Sequence, residues 1–282
     1  MPIAYPQILD LKSEGQTFSW TAQDSILYAL GVGLATDPLN EAELAFVYEK
    51  DLKAVPTQAG VAAWGAFPGD LGINFMLVVD GERQIVFHQP MRTSGTVTAV
   101  SQVLGAWDKG PGKGAVIAIE NALSDAATGE RLLTVTSSIF ARGDGGFGGP
   151  SEGQPEPHPV PARAPDASVD IPTALNQAAI YRLSGDFNPL HIDPAFARMA
   201  GFPRPILHGM CTYGITCRAV LATYADWDPA RFKSHQARFS APVFPGETIT
   251  VDLWRDGDVV SFEARVKERG VTVIKNGKTL LG

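Results

Sequence analysis

One short segment of the chain combines side chains that can move protons. Within residues 186–191, Asp186, Asn188 and His191 bring a carboxylate, an amide and an imidazole close together in sequence. A carboxylate beside a histidine can polarise a water molecule and shuttle its proton. The spacing therefore indicates acid–base chemistry on water, although the same residues could form an ordinary polar loop in which Asp186 caps a helix and His191 binds the backbone.

The surrounding residues predict that this segment is a short, stiff loop between two helices. One helix is expected to end near Leu183, with Gly185 in the usual stop position. Asn188 precedes a proline and is therefore disfavoured in the helical region. Asp193 is followed by a proline, which is the typical start of a new helix. The carboxylate, amide and imidazole should thus reach one small volume.

A metal site is a second alternative at this loop. Asp186, His191, Asp193 and His208 offer the oxygen and nitrogen ligands that zinc or iron accepts. Neither a His-x-His nor a His-x-x-x-His pair accompanies them. We therefore predict that no metal is bound here.

Residues 143–172 separate two halves of similar texture. The segment opens with glycines on both sides of Phe147 and continues with a run of prolines, a composition that sustains neither a helix nor a central strand. Its glycines lack the lysine of a phosphate-binding loop, and we interpret them as a turn and crossover. The chain is therefore divided into an N-terminal unit (residues 1–142), a linker and a C-terminal unit (residues 173–282).

Each half opens with a helical pattern and continues into strands. Helices are predicted at Thr21–Gly31, Thr173–Leu183 and Gly209–Tyr224, the last being apolar on nearly every side and therefore buried. The sequences His88–Thr98 and Ser240–Thr250 share a strand, a proline-marked break and a glycine turn, which indicates duplication. We expect an α+β chain of two units, each an antiparallel sheet around one long apolar helix. Strands are predicted at Gln84–Phe87, Gly95–Val100, Ala115–Glu120, Leu132–Phe140, Gln236–Ser240, Thr248–Trp254, Val259–Val266 and Thr272–Ile274.

The composition excludes several classes of protein. Apolar residues make up 45 % of the chain and charged residues 19 %, which predicts a globular core. The formal net charge of −7 argues against nucleic acid as a partner. Apolar runs fall short of the roughly 20 residues that cross a membrane, so no membrane association is expected. Cys211 and Cys217 are interpreted as buried small hydrophobes in a reducing compartment.

The segment Tyr181–Ala195 resembles the signature of the hydratase 2 family, also called MaoC-like dehydratases. The pattern Tyr-x-Leu-Ser-Gly-Asp-x-Asn-Pro-Leu-His is complete, and Ala200–Gly209 also matches. Similar stretches at Ile26–Gly33, Ser137–Gly149 and Arg238–Gly246 extend the resemblance over nearly the whole chain. It implies a double hot-dog fold and (R)-specific hydration of trans-2-enoyl-CoA, as in β-oxidation. It also implies a homodimer and no cofactor apart from the CoA of the substrate.

The resemblance assigns roles to individual positions. Asp186 and His191 match the catalytic pair, and Asn188 matches a residue that helps to hold the site. Gly209 matches the residue whose backbone N–H receives the thioester oxygen; without the resemblance it could equally be a simple turn. His208 is expected to be a structural hydrogen-bonding residue. His191 is predicted to accept the proton of the catalytic water and Asp186 to protonate C2, although coupled groups can share these roles.

Substrate binding is expected to use both halves. Relatives commonly have His-Gly where this chain has Asp80-Gly81, a departure that removes the expected side-chain contact and leaves a backbone contact. Lys109 lies in a loop that resembles the family's CoA contact, and Arg238 is the second expected cation for the CoA phosphates. Lys113 is interpreted as a solvated charge.

The N-terminal unit lacks its own Asp-x-Asn-Pro-x-His sequence. We infer that it has lost catalysis and lines the acyl pocket, and Glu49 is expected to have a structural or pocket role. Three other functions stay open: a dehydratase of a specialised CoA or carrier-protein thioester, a thioesterase on the same fold, and a non-enzymatic acyl-CoA binding module. Neither a secretory signal nor a peroxisomal address is visible, so a cytoplasmic bacterial protein is expected.

Overall fold

The chain forms one continuous antiparallel sheet of ten strands. The computed structural model describes residues 2–282, apart from the side chain of Met76. The strands follow the order β1-β3-β4-β5-β2-β7-β10-β9-β8-β6. Their bounds are β1 Gln16–Trp20, β2 Val78–Phe87, β3 Gly95–Asp108, β4 Ala115–Asp125, β5 Arg131–Ala141, β6 Ala167–Pro172, β7 Phe232–Phe239, β8 Thr248–Asp256, β9 Val259–Val266 and β10 Val271–Leu281.

The strand order reads the same from both edges of the sheet. Strands β1 to β5 of the first half occupy the same places as β6 to β10 of the second, and the halves meet where β2 pairs with β7. The turn echo between His88–Thr98 and Ser240–Thr250 therefore joins equivalent strands, β2 to β3 and β7 to β8. The prediction of two similar antiparallel units is confirmed, and main-chain hydrogen bonds join the two into one sheet.

Five α-helices accompany the sheet within residues 2–282. Helix α5 has the predicted bounds and is buried along most of its length, and it contacts β6 to β10. An all-round apolar helix needs such an enclosure, because every face must be removed from water. The bounds are α1 Ala22–Gly31, α2 Glu41–Leu44, α3 Gln177–Tyr181, α4 Pro194–Met199 and α5 Gly209–Tyr224, with 3₁₀ helices at Gln7–Asp10, Pro56–Gly60, Phe75–Leu77, Arg182–Ser184, Pro189–His191 and Pro229–Arg231.

The N-terminal half differs from the prediction at its centre. Helix α1, capped as predicted by Thr21, has only ten residues and packs against α3, its counterpart after the first strand of the other half. The place equivalent to α5 is taken by the 3₁₀ helix Pro56–Gly60, which contacts α5, β2 and β5. A long central helix is therefore present in the C-terminal half alone, within the described chain. The prediction of one in each half was wrong, because the helical pattern of α1 belongs to an element beside the centre.

The linker region is irregular except for its last residues. Strand β6 forms from residues 167–172 and pairs with β8, so the predicted linker 143–172 ends earlier than expected. The strand tolerates Pro172 because it lies at the edge of the sheet. The glycines near Phe147 form a turn, as predicted, and their N–H groups bind the buried carboxylate of Asp108. Among the described residues, no helix is both long and apolar enough to cross a bilayer.

Candidate active site

The loop that carries Asp186 is shaped by its own side chains. Gly185 ends the preceding 3₁₀ helix with a φ of 126°, and a Cβ there would lie 3.1 Å from the indole of Trp64. The N–H of Asn188 donates to Asp186 Oδ1 at 3.1 Å, and Asn188 Oδ1 accepts from the Leu190 N–H at 3.0 Å. The second of these bonds caps the 3₁₀ helix Pro189–His191, and together the two set the conformation of the loop. Asn188 therefore holds the loop.

His191 lies buried at the end of this loop. Its Nδ1 is 2.9 Å from the Ile206 carbonyl oxygen, which places the ring proton on Nδ1 because a carbonyl only accepts. Its Nε2 faces Asp186 Oδ2 at 3.8 Å. That separation exceeds a direct hydrogen bond. A water molecule can therefore contact both the imidazole and the carboxylate.

The charge state of His191 follows from its surroundings. Burial lowers its pKa, whereas the Ile206 carbonyl, Asp186 and Asp80 act in the opposite direction. Burial is the strongest of these influences, so the ring is neutral near pH 7. A neutral imidazole can accept a proton, and two nearby carboxylates can stabilise the cation that results.

His208 stacks on His191 and supports it. The ring centroids are 3.7 Å apart at 27°, and His208 Nε2 lies 3.2 Å from the backbone oxygen of Asp186. Burial, followed by the proximity of His191, lowers the pKa of His208 to about 3. A ring that stays neutral and binds the Asp186 loop fits the structural role predicted for it.

Gly209 begins helix α5 beside the two histidines. The first N–H groups of a helix have no partner within it and carry the positive end of its dipole. A Cβ on Gly209 would lie 3.3 Å from the ring of Phe239 and 3.8 Å from Asp80 Oδ2. Glycine thus leaves the helix start open to a ligand oxygen, as the oxyanion-binding prediction requires.

Asp80 approaches the site from β2 of the other half. A bulge falls between Asp80 and Glu82, so that Gly81 is the irregular residue of the strand. Arg83 Nη2 lies 3.3 Å from Asp80 Oδ1, and Arg83 Nη1 donates to the hydroxyl of Ser137. The buried arginine offsets the charge of a carboxylate that lies close to the helix start. Sequence reasoning missed Arg83, although its alternation with the buried Ile85 of the same strand could have placed it on the inner face.

The two side chains expected to bind the CoA phosphates, Arg238 and Lys109, lie outside the group of residues around Asp186 and His191. Phe239 contacts Gly209 from the inner face of β7, so its neighbour Arg238 projects from the outer face, where it lies 3.6 Å from Glu82. Arg238 borders an outer cavity of about 710 Å³ that also touches Trp107 and the linker. Lys109 begins the loop after β3, and its Nζ donates to the Ser151 carbonyl at 3.1 Å.

Two further predicted residues are exposed. Lys113 projects into solvent, as expected of a solvated charge. Glu49 is also exposed, so the expected pocket role does not fit. The buried carboxylate of that region is Glu43, which pairs with Arg218 of α5 at 2.7 Å. Glu43 lies within α2, whereas Glu49 lies in the irregular backbone after it, where no periodic pattern in the sequence indicates which side chains face inward.

One set of side chains in the described chain could hold a metal ion. Ligand atoms of Asp186, His191 and His208 all lie within 4.8 Å of one another. Asp193, considered with them from the sequence, instead caps α4 by accepting from the Ala195 N–H at 2.7 Å. The same three groups are also the ones that surround the gap between His191 and Asp186, where water can bind.

A smaller cavity of about 240 Å³ adjoins the loop that carries Asp186. It reaches Gly185, directly before Asp186, and most of its wall comes from the N-terminal half. The wall is mainly aromatic and aliphatic, which suits an alkyl chain. The lining residues are Phe18, Ser19, Trp20, Asp24, Leu27, Tyr28, Gln58, Val61, Ala62, Trp64, Leu183, Ser184 and Gly185.

Family models match both halves of the chain. Residues 157–277 match the MaoC like domain, and residues 18–143 match the MFE-2 hydratase 2 N-terminal domain. The chain is 40 % identical over 291 residues to the enoyl-CoA hydratase ChsH3 of Mycobacterium tuberculosis, covering 100 % of this chain and 99 % of the relative. The similarity to this relative therefore includes both the N-terminal and the C-terminal unit.

Solved structures agree with the sequence relatives. A MaoC-like dehydratase from Phytophthora capsici superposes with a TM-score of 0.88 at 31 % identity, over 99 % of this chain and 98 % of the other. A Mycobacterium tuberculosis protein described as having a double hotdog fold gives a TM-score of 0.55 at 16 % identity, over 96 % and 97 % of the two chains. The predicted double hot-dog fold is confirmed.

Proposed function

Because the chain belongs to the MaoC-like dehydratase family and is a hydro-lyase, we propose that it adds water reversibly to trans-2-enoyl-CoA and forms (R)-3-hydroxyacyl-CoA. The observation that carries this proposal is the 3.8 Å gap between His191 Nε2 and Asp186 Oδ2 beside the start of α5. A water molecule held there is activated next to a group that can bind an oxyanion. The (R) configuration is the outcome that the hydratase 2 resemblance implies.

The pair can perform both proton transfers. His191 Nε2 accepts a proton from the water as the water oxygen bonds to C3. The proton passes from His191 to the Asp186 carboxylate, which delivers it to C2. The elements of one water molecule are thus added across the double bond, and the coupled pair ends in its starting protonation state. General acid–base groups of this kind contribute about 10²- to 10⁴-fold each.

Negative charge develops on the thioester oxygen during the addition. In the proposed mechanism the N–H of Gly209, at the positive end of α5, donates a hydrogen bond to this oxygen and stabilises its charge. The Asp80 carboxylate lies close enough to oppose that charge, and the Arg83 guanidinium compensates it. We therefore assign Arg83 a positioning role, which sequence reasoning did not reveal.

The acyl chain is proposed to enter the 240 Å³ cavity, because this cavity begins one residue before Asp186. The N-terminal half then supplies the pocket wall while the C-terminal half supplies the chemistry. Lys109 and Arg238 stay candidates for binding the CoA phosphates. The carboxylate of Glu82 lies beside Arg238 and competes with a phosphate for its guanidinium.

An ultraviolet assay tests the proposal directly. Loss of the conjugated-enoyl absorbance of trans-2-enoyl-CoA is expected, with the (R)-3-hydroxy product on chiral analysis and no release of free thiol. Asp186→Asn should abolish the change while retaining the fold by circular dichroism. Free CoA release instead would indicate a thioesterase, and the absence of any reaction would contradict the proposal.

A dehydratase of a specialised thioester is the second candidate. The same residues would then catalyse the reverse reaction, removal of water from a 3-hydroxyacyl thioester. The similarity to the Phytophthora protein, which is described as a MaoC-like dehydratase, favours this candidate. Comparison of CoA with carrier-protein thioesters of the same acyl group distinguishes the two.

A further inference from the structure

The indole of Trp64 packs on the backbone directly before Asp186. A Cβ on Gly185 would lie 3.1, 3.2 and 3.3 Å from the Trp64 atoms Cγ, Cβ and Cδ1. No side chain fits between the two residues at these distances, so the indole rests on the main chain itself. Trp64 belongs to the N-terminal half, and it therefore contacts the loop that carries Asp186 from the other half of the molecule.

The N-terminal half holds Trp64 in place independently of that loop. Residues 61–66 follow the 3₁₀ helix Pro56–Gly60, which packs against α5. The neighbouring Ala62 and Ala63 are buried, and the Trp64 N–H donates to the Val61 carbonyl at 3.1 Å. These contacts fix the backbone at Trp64, so the indole is a rigid part of its densely packed surroundings.

Trp64 also contributes to the wall of the 240 Å³ cavity. It keeps 36 % of its surface exposed, so a group in the cavity can touch it, in contrast to Tyr28 of the same wall, which is 1 % exposed. An indole is large and has only two side-chain torsions, so it defines the shape of a pocket more than it adapts to a ligand. The part of the cavity that adjoins Asp186 therefore has a rigid aromatic wall.

We propose that Trp64 determines which acyl groups the enzyme accepts, by excluding chains that are branched at C4. This role rests on the hydratase function proposed above, in which C2 lies beside Asp186 and the chain beyond C3 enters the cavity at Gly185. A methyl group on C4 then meets the indole, and the Gly185 main chain prevents the indole from moving away. Such a substrate either binds poorly or displaces the loop that carries Asp186.

Two substrates with the same main chain test the exclusion. They are trans-2-decenoyl-CoA and its 4-methyl derivative, and the measured quantity is the straight-to-branched ratio of kcat/KM. Trp64→Ala should lower this ratio by about tenfold, the effect of one methylene-sized group on selection by an apolar pocket. The intrinsic effect of the methyl group on the double bond is the same for every variant, so a change in the ratio reports on the cavity.

Further variants locate the effect at Trp64. Trp64→Phe keeps an aromatic ring of smaller size, and its ratio should lie between those of the wild type and Trp64→Ala. Trp227→Ala is the matched control, because Trp227 is half-buried, lies 6.0 Å from Phe46 between ring centroids, and is not among the described residues that line the cavity. Its ratio should equal that of the wild type. Both substrates are measured on one preparation, so the ratio does not depend on the folded fraction.

The outcomes separate this exclusion from the function on which it rests. An unchanged ratio in Trp64→Ala, or an equal fall in Trp227→Ala, overturns the proposal for Trp64. Failure of the wild type to hydrate either thioester contradicts the proposed hydratase function instead. Thermal unfolding identifies variants that do not fold, and if Trp64→Ala is one of them, the ratio of Trp64→Phe gives the decision.

Discussion

The two halves of the molecule share a strand order and differ at their centres. The C-terminal half surrounds α5, a helix of 16 residues, whereas the N-terminal half has only the five-residue 3₁₀ helix Pro56–Gly60 in that place. A 3₁₀ turn has too few aligned peptides to build a helix dipole. One half therefore has a helix start that can bind an oxyanion, whereas the other half uses the same place for packing.

The segments before these centres also diverge. In the C-terminal half, the chain between α3 and α5 carries Asp186 and His191, with their functional groups facing each other. The corresponding segment of the N-terminal half buries Glu43, which is tied to Arg218 of α5 and accepts from the Ala35 N–H at 2.8 Å. A carboxylate bound in this way holds the halves together and has no freedom for proton transfer.

The largest expected loss of activity follows from substituting a histidine of the C-terminal half, and the same substitution in the N-terminal half should have little effect. His191→Gln removes the proposed base, and kcat for hydration should fall by about 10³-fold. His88→Gln is the matched control in the N-terminal half, where the exposed ring contacts Thr134 Oγ1 at 3.0 Å. Steady-state hydration rates provide the measurement, and similar losses in both variants would contradict the division of labour.

Glu43→Ala should affect stability instead of chemistry. It leaves the Arg218 guanidinium without its buried partner, which costs about 3 kcal/mol in the free energy of unfolding. Urea denaturation measures this, and kcat of the folded fraction should stay close to that of the wild type. Asp186→Asn should show the opposite pattern, with catalysis lost and stability kept.

Acid should destabilise the C-terminal half through its buried histidines. Burial lowers the pKa of His235 from 6.5 to about 3. The unfolded chain therefore binds a proton first as the pH falls, and stability is lost between pH 6.5 and pH 3. At pH 5 the loss from this residue is about 2 kcal/mol. Denaturation at pH 7 and pH 5 measures this loss. The free energy of unfolding should fall less between the two pH values in His235→Gln than in the wild type, by that amount.

The smallest effect concerns Asp80, the charged residue that the N-terminal half brings close to His191 and Gly209. Its charge helps to raise the pKa of His191 against burial, so Asp80→Asn should lower that pKa further. Because His191 must be neutral to accept a proton, the acid limb of kcat/KM moves to lower pH. Glu82→Gln, on the outer face of β2, is the control. An acid limb that does not move would show that Asp80 does not influence the base.

Local signals in the sequence predicted much of this arrangement. The bounds of α5 followed from its apolar residues, and the Asp193 cap followed from the proline after it. The Asp186 loop was placed between two helices because glycine and proline restrict the backbone wherever they occur. Such signals act within a few residues and need no knowledge of the partner elements.

Contacts between residues far apart in the sequence could not be predicted from such local signals. Strands β1 and β6 were missed because each is a short edge strand whose partner lies far away in the sequence. The Glu43–Arg218 pair joins the two halves across 175 residues of sequence, and no local pattern around either residue predicts its partner. Arg238 is predicted to bind the CoA phosphates, and strand alternation at β7 places it on the opposite face from Phe239.

A double-mutant cycle tests the central claim, that Asp186 and His191 act as one unit around a shared water. Hydration of trans-2-enoyl-CoA would be measured for Asp186→Asn, His191→Gln and the variant that combines them. Residues that act as a unit give losses that do not multiply. The account predicts that the combined variant is about as slow as the slower single variant. Losses in kcat that multiply would show that the two residues act independently and would contradict it.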